Sequence, residues 1–170
     1  ALILLGLGRR VRPHLDHYIT LQKRDGYFRS QEGEWDSNGQ VLWLYERFCR
    51  FMGEPPGTKW LDSLRKGALW IGGKRVRDAH GTRHQGLLPA GFSAEHLGPN
   101  DYYYWDDYWC LAGLRALSNL ERVHGEESQA RKWDTKDDTL EKASGHSIEA
   151  IPQHESQGAR TAYSDRRMDA

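Results

Sequence analysis

Apolar side chains recur at intervals of three and four residues through five segments of this chain, which is the periodicity of amphipathic helices. The segments cover approximately residues 1 to 22, 36 to 52, 60 to 79, 101 to 124 and 126 to 146. No segment shows sustained alternation of apolar and polar residues, and no hairpin dipeptide separates two apolar runs. The sequence therefore predicts an all-α fold.

The connections between these helices alternate in length. Short turns, "GEPPGT" and "HGEE", alternate with long loops at residues 23 to 36, 80 to 100 and 147 to 167. Short turns join antiparallel neighbours, so we expect helical hairpins with all long loops at one end. Asp36 and Asp101, near the starts of two inner helices, are 65 residues apart. This spacing indicates a repeat of an outer amphipathic helix, a long loop and a more apolar inner helix.

Composition narrows the class of protein. The 170 residues suit a single domain, and 28% charged with 38% hydrophobic residues is typical of a globular chain. The formal net charge of zero argues against a nucleic-acid partner. The opening "ALILLGLGRR" is too short to span a membrane. Cys49 and Cys110 follow no metal or redox spacing, which predicts buried thiols in a reducing compartment and slightly favours the cytoplasm.

Two long stretches resemble the six-hairpin glycosidase superfamily, the glucoamylase-like and glycogen-debranching-like enzymes. They are "RDGYFRSQEGEWDSNGQVLWLYERF" and "GLLPAGFSAEHLGPNDYYYWDDYWCLAGLRAL", and "IPQHESQGARTAYSDRRMDA" is similar to the start of a further hairpin. The resemblance implies that residues 1 to 170 form one domain, about two and a half hairpins of an (α/α)6 toroid. The remaining hairpins of the toroid would then be its partner in the parent chain. We expect the isolated chain to be poorly soluble or to associate.

The resemblance also implies a glycoside hydrolase whose carbohydrate site lies on the loops that lead into the inner helices. Such enzymes need one carboxylic acid to protonate the leaving oxygen and a second carboxylate, which in inverting members activates water. In many members of this superfamily the second carboxylate comes from a later hairpin. The resemblance implies no cofactor and no metal.

The first long loop brings Glu34, Trp35 and Asp36 to the start of an inner helix. Asp36 is a candidate N-cap, with the neighbouring acids stabilised by the helix dipole. The functional interpretation makes Trp35 a sugar-stacking platform, Asp36 a substrate ligand and Glu34 a catalytic carboxylate. Both interpretations stay open at the level of sequence.

The second long loop carries Glu95 and leads into "DYYYWDDYW", residues 101 to 109. Asp101 is interpreted as an N-cap, whereas Asp106 and Asp107 lie beyond the first turn expected for this helix and are the catalytic candidates. Consecutive helical residues point about 100° apart, so at most one of these two faces a central funnel. The other could bind an Arg or Tyr hydroxyls. Within this loop and helix, the candidates for substrate binding are Glu95, Tyr103 and Trp105.

Two other functions fit parts of the same pattern. In an isoprenoid-type α-barrel, Asp106 and Asp107 would hold Mg²⁺ against a diphosphate. A non-catalytic module could bind glycan through the same loops. The spaced histidine pairs, His14 with His17 and His80 with His84, lack a third ligand, so solvated or core histidines are favoured over a metal site.

Overall fold

Five helices account for most of the chain. The computed structural model describes residues 2–77, 80–92 and 100–151. The helices are α1 (Gly8–Tyr18), α2 (Ser37–Met52), α3 (Thr58–Lys74), α4 (Tyr104–His124) and α5 (Glu127–Glu149), and a 3-10 turn, Ile19–Leu21, extends α1. Within these described ranges there is no strand, only an isolated bridge between Gly91 and Asp101. The all-α prediction is confirmed.

Helix ends follow the sequence signals better than helix starts do. Gly53 and Gly125 end α2 and α4 in the left-handed conformation, with φ of 66° and 87°. The start of α4 is a correction: the helix begins at Tyr104, three residues after the predicted cap, Asp101. Asp101 Oδ1 instead accepts a hydrogen bond from the Tyr102 backbone N–H. The backbone of Asp101 pairs with Gly91, which keeps it out of the helix.

The predicted boundaries of α1 and α3 also change. Residues 2 to 6 form turns and α1 starts at Gly8, while α3 ends at Lys74, short of the predicted residue 79. The backbone N–H of Val76 donates to the Leu87 carbonyl, so the chain leaves the helix to pair with the following loop. Tertiary pairing of the backbone therefore ended α3 early.

The helices form two layers. The inner layer contains α2 and α4, which run in the same direction. Near their N-terminal ends Cys110 contacts the Trp35 carbonyl, and near their C-terminal ends Arg50 and Leu120 line one cavity. The outer helices run antiparallel to them: Tyr45 of α2 donates to Leu15 of α1, Asn38 of α2 to Gly67 of α3, and Ser118 of α4 to Ala130 of α5. This is the predicted alternation of outer and inner helices.

The core lies between the layers. Its largest fully buried side chains come from four of the helices and the second loop: Trp133, Tyr45, Tyr104, Phe48, Leu42, Leu61, Leu64, Ile71, Leu87, Leu88, Leu114 and Leu117. One ion pair crosses this region, between Arg65 of α3 and the fully buried Glu121 of α4. The Trp133 indole N–H donates to the same carboxylate, so Glu121 joins α3, α4 and α5.

The two described long loops meet at the N-terminal ends of α2 and α4, as predicted. The Phe92 N–H donates to the Gly33 carbonyl at 2.8 Å, and the Trp35 indole N–H points at the Ala90 carbonyl at 3.4 Å. A Cβ on Gly91 would lie 2.4 Å from the Gly33 carbonyl oxygen, so only glycine permits this close contact. The third long loop, predicted at residues 147 to 167, starts later because α5 continues to Glu149, and from residue 152 onward it lies outside the described residues.

Candidate functional site

Two glycines let the first turn of α2 pack closely against the second and third turns of α4. A Cβ on Gly39 would lie 2.2 Å from the Trp109 carbonyl oxygen, and one on Gly113 would lie 2.6 Å from Gly39 Cα. Any side chain here would collide with backbone, so the helices can approach this closely only because both residues are glycine. The close approach brings the acidic and aromatic residues of the two long loops to one place.

Asp36 links the two inner helices. Its Oδ2 accepts a hydrogen bond from the Trp105 indole N–H at 2.8 Å and another from the Gln40 side chain at 2.6 Å. Asp36 does occupy the N-cap position of α2, but its side chain makes no capping hydrogen bond. The predicted N-cap position of Asp36 is therefore confirmed, but the predicted capping hydrogen bond is wrong. The side chain orients Trp105 instead.

Trp105 begins a strip of aromatic side chains along the face shared by α2 and α4. Trp105 is 47% exposed, so this end of the strip is accessible to solvent. Its ring meets Trp109 edge to face at 5.8 Å, and Trp109 meets Trp43 in the same way at 5.8 Å. The Arg47 guanidinium then lies over the Trp43 ring, 5.2 Å from its centre. We call Trp105, Trp109, Trp43 and Arg47 the tryptophan strip.

Trp35, the predicted sugar platform, is only 9% exposed. The Lys74 ammonium lies 3.8 Å from the centre of one ring face, a cation–π contact. Trp70 and Tyr27 lie beside it at 6.2 Å, and Tyr27 and Trp70 stack on each other at 4.2 Å. Trp35 is thus enclosed by protein, whereas the neighbouring Trp105 presents aromatic surface to solvent.

Glu34 is half-buried and already has partners. Its carboxylate accepts hydrogen bonds from the Ser30 hydroxyl and the Gln31 side-chain amide, and its backbone carbonyl accepts one from the Tyr27 hydroxyl. These contacts fold the first loop onto itself. They orient the Glu34 carboxylate toward its own loop rather than toward Trp105.

Asp106 and Asp107 are both buried, and both lie in the first turn of α4 rather than beyond it, which corrects the sequence prediction. Asp107 is 1% exposed, and its Oδ1 accepts a hydrogen bond from the Leu88 N–H at 2.9 Å. Burial raises the pKa of Asp107 to about 7, although the Leu88 N–H and the charge of Arg75 both lower it. Arg75 also donates to the Gly86 carbonyl and to Thr139, so this group joins the second loop to α5. Asp107 is therefore part of the loop's support.

The remaining predicted ligands are placed as follows. Tyr103 is 2% exposed and stands at the N-cap position of α4, so it does not present a surface to a sugar. Glu95 lies outside the described residues. The structure therefore brings Asp36, Trp105 and the buried Asp106 to the starts of the inner helices, while Trp35, Tyr103 and Asp107 support them from within.

The histidines stay separate from this region. His84 stacks on Tyr102 at 4.1 Å, His80 contacts Gln85, and His14 and His17 are exposed. Among the described residues, the acids close enough to share a cation are Asp137, Asp138 and Glu141 of α5. Arg115 already pairs with two of these, Asp137 and Glu141. Arg115 thereby offsets part of the negative charge of the cluster.

Both cysteines are free and buried, as predicted. Burial raises the pKa of the Cys49 thiol to about 11 and holds that of Cys110 well above its usual value. Neither thiol is therefore a nucleophile at neutral pH.

Several residues that shape the site were not identified from the sequence. They are Gly39, Gln40, Trp43, Arg47, Lys74, Arg75, Trp109 and Gly113. An isolated glycine inside a helical pattern is a recognised signal of close packing, so Gly39 and Gly113 could have been found. The other six give no such signal, because their role depends on which neighbour the fold places beside them.

A cavity lies at the opposite end of the inner helices. Its volume is about 570 Å³, and its lining includes Glu46, Cys49, Pro55, Leu120 and Val123. The lining is mainly apolar and faces away from the two long loops. The cavity is therefore separate from the carboxylate and aromatic residues described above.

Comparison with known proteins identifies no relative of this chain. None of the described helices is long and apolar enough to cross a membrane. No protein-family model matches this chain, and no curated protein or solved structure shows significant similarity to it.

Proposed function

We propose that this chain belongs to the catalytic domain of a glycoside hydrolase and that it supplies a saccharide-binding surface at the starts of α2 and α4. The observation that carries the proposal is the hydrogen bond from Trp105 to Asp36. A solvent-exposed indole held in one orientation by a carboxylate suits a pyranose, whose C–H face is apolar and whose rim is polar. The toroid implied by the sequence resemblance would supply the remaining hairpins.

Roles within the site follow from burial and contacts. Trp105 is the stacking platform, and the half-buried Gln40 is the polar group beside it, held by the buried Asp36. Asp106, in the first turn of α4, is the acid that we place in the chemistry. Asp107 is assigned to support of the loop because its Oδ1 is used by Leu88. Hydrolysis needs a second carboxylate across the site, which Asp36 or Glu34 would provide, or a residue of another hairpin.

The burial of Asp107 favours a saccharide site over a site for magnesium and diphosphate. Metal binding by consecutive aspartates requires both carboxylates to reach a solvent-accessible ion. Asp107 is buried and fixed to the Leu88 backbone. A diphosphate site would therefore need the second loop to detach.

The platform is tested by titrating the full chain with neutral α- and β-linked oligosaccharides, following heat or tryptophan fluorescence. We expect Trp105→Ala to weaken binding at least about tenfold, since losing roughly 1.4 kcal/mol of contact corresponds to that factor. Tyr108→Ala is the matched control, because Tyr108 is equally exposed on the same helix and lines a different pocket, facing α5. Equal losses in both variants, or no binding by the unaltered chain, would contradict the proposal.

Catalysis is tested separately, in the complete protein that contains this sequence. Asp106→Asn and Glu34→Gln should lower turnover if these carboxylates act in the reaction, with saccharide binding retained. Glu34 is held within its own loop, which supports the second candidate, a glycan-binding module without catalysis. Binding that depends on Trp105, together with turnover unchanged in both carboxylate variants, would favour that candidate.

A further inference from the structure

Arg47 stands at the far end of the tryptophan strip from Asp36. Arg47 follows Asp36 by eleven positions, which is about 16 Å along a helix. The Arg47 guanidinium lies over the Trp43 ring, and its Nε is 3.4 Å from Glu46 Oε2. The strip therefore has a carboxylate at one end and a cation at the other.

Arg47 is held in place mainly by its contact with the Trp43 ring. In the part of the chain that the structure describes, Nε is buried and makes no hydrogen bond. The contact with Glu46 is an ion pair that is too long to be a good hydrogen bond. The side chain as a whole keeps 37% of its surface exposed. The cation–π contact with Trp43 thus holds a partly exposed cation at the edge of the strip.

Such a group is suited to a carboxylate. A guanidinium can donate two parallel hydrogen bonds to a carboxylate, and stacking on an aromatic ring reduces the entropy lost on binding. Glu46 offsets part of the positive charge of Arg47, so a singly charged carboxylate fits better than a doubly charged phosphate.

We propose that the saccharide recognised by this surface carries carboxylates, and that Arg47 binds one uronic acid residue while Trp105 stacks on another sugar of the same chain. This inference rests on the proposed function, because it assigns the substrate class of the same surface. Trp43 and Trp109 lie between the two contacts and provide the apolar floor of the strip.

The experiment compares uronate oligomers with their methyl esters, which have the same backbone and linkage without the charge. Oligogalacturonates and oligoglucuronates of matched length are titrated into the full chain at constant salt. We expect the acid form of at least one to bind about ten- to a hundredfold tighter than its ester, the range of a charge-assisted hydrogen bond. Arg47→Gln should abolish this preference, and Arg47→Lys should restore only part of it.

Controls separate this inference from the proposed function. Arg10→Gln removes an exposed arginine of α1 and should leave the preference intact. Circular dichroism of Arg47→Gln should show an unchanged fold. Equal binding of acids and esters, binding of neutral oligosaccharides alone, or a preference that survives Arg47→Gln would overturn the assignment of Arg47 and leave the saccharide surface standing. If no saccharide of either kind binds, the proposed function itself fails.

Discussion

The two inner helices begin with nearly the same local sequence, Trp35-Asp36 before α2 and Trp105-Asp106 in the first turn of α4. Their environments are opposite. Trp35 is enclosed by Lys74 and the second loop, whereas Trp105 is 47% exposed. The indole N–H of Trp105 donates to the carboxylate of Asp36, which belongs to the first Trp-Asp pair. A Trp-Asp pair at a helix start therefore does not define a role. Whether a loop covers the indole decides between structural support and an accessible surface.

The largest expected contrast is between alanine substitutions of the two tryptophans. We expect Trp35→Ala to lower the free energy of unfolding by about 3 to 5 kcal/mol, because a large buried ring is lost and a cavity remains. Trp105→Ala should cost about 1 kcal/mol or less, since it removes an exposed ring and one hydrogen bond. Urea denaturation of both variants measures the difference. Similar losses would show that Trp105 is also a structural residue.

The next effect concerns the glycines that let the start of α2 pack closely against α4. Gly39→Ala places a Cβ against the Trp109 carbonyl, and we expect a loss of about 1 to 3 kcal/mol as α2 and α4 separate. Gly73→Ala is the control, because nothing lies within 4 Å of a Cβ at that exposed position of α3. The control should be neutral or stabilising by up to about 1 kcal/mol. Thermal or urea unfolding distinguishes the two, and equal effects would argue against a tight contact.

The buried Asp107 should make stability depend on pH. Its folded-state pKa of about 7 lies above the ordinary value of 3.8, so the folded chain binds its proton more tightly than the unfolded chain does. The stabilisation is fully present below about pH 4 and is lost as pH rises to about 7. Relative to Asp107→Asn, which cannot titrate, the wild type should lose on the order of 1 kcal/mol per pH unit in that window.

Urea denaturation of wild type and Asp107→Asn across this range provides the measurement. The difference between their free energies of unfolding should fall with pH and become constant above about pH 8. A difference that does not vary with pH would mean that Asp107 titrates normally. The exposed Asp138→Asn serves as control and should show no such trend.

The smallest loss of stability is expected on removing the hydrogen bond between Trp105 and Asp36, which joins the two Trp-Asp pairs. Asp36→Ala removes the acceptor of the Trp105 and Gln40 donors, and we expect a loss of about 1 kcal/mol. The Trp105 side chain should also become more mobile, which lowers tryptophan fluorescence anisotropy. Asp36→Asn keeps an acceptor oxygen and should lose less. If anisotropy is unchanged in Asp36→Ala, then packing alone orients Trp105.

Sequence reasoning succeeded for the parts of the fold that depend on short-range patterns. Apolar periodicity predicted five helices, and Gly53 and Gly125 marked the ends of α2 and α4. It was less successful where backbone pairing between distant segments competes with a helix. Asp101 pairs with Gly91 instead of capping α4, and Val76 pairs with the second loop instead of extending α3. Neither pairing has a signal in the local sequence.

The sequence by itself determined the helices, their order and the end of the molecule at which the acidic and aromatic loops gather, because these follow from periodicity and connection length. Only the tertiary structure decided which of these residues supports the fold and which reaches solvent. Asp107 supports the second loop, and Asp36 orients Trp105, although all three residues lie near helix starts. The physical reason is that burial and hydrogen-bond partners come from segments 19 to 69 residues away, which no local pattern specifies.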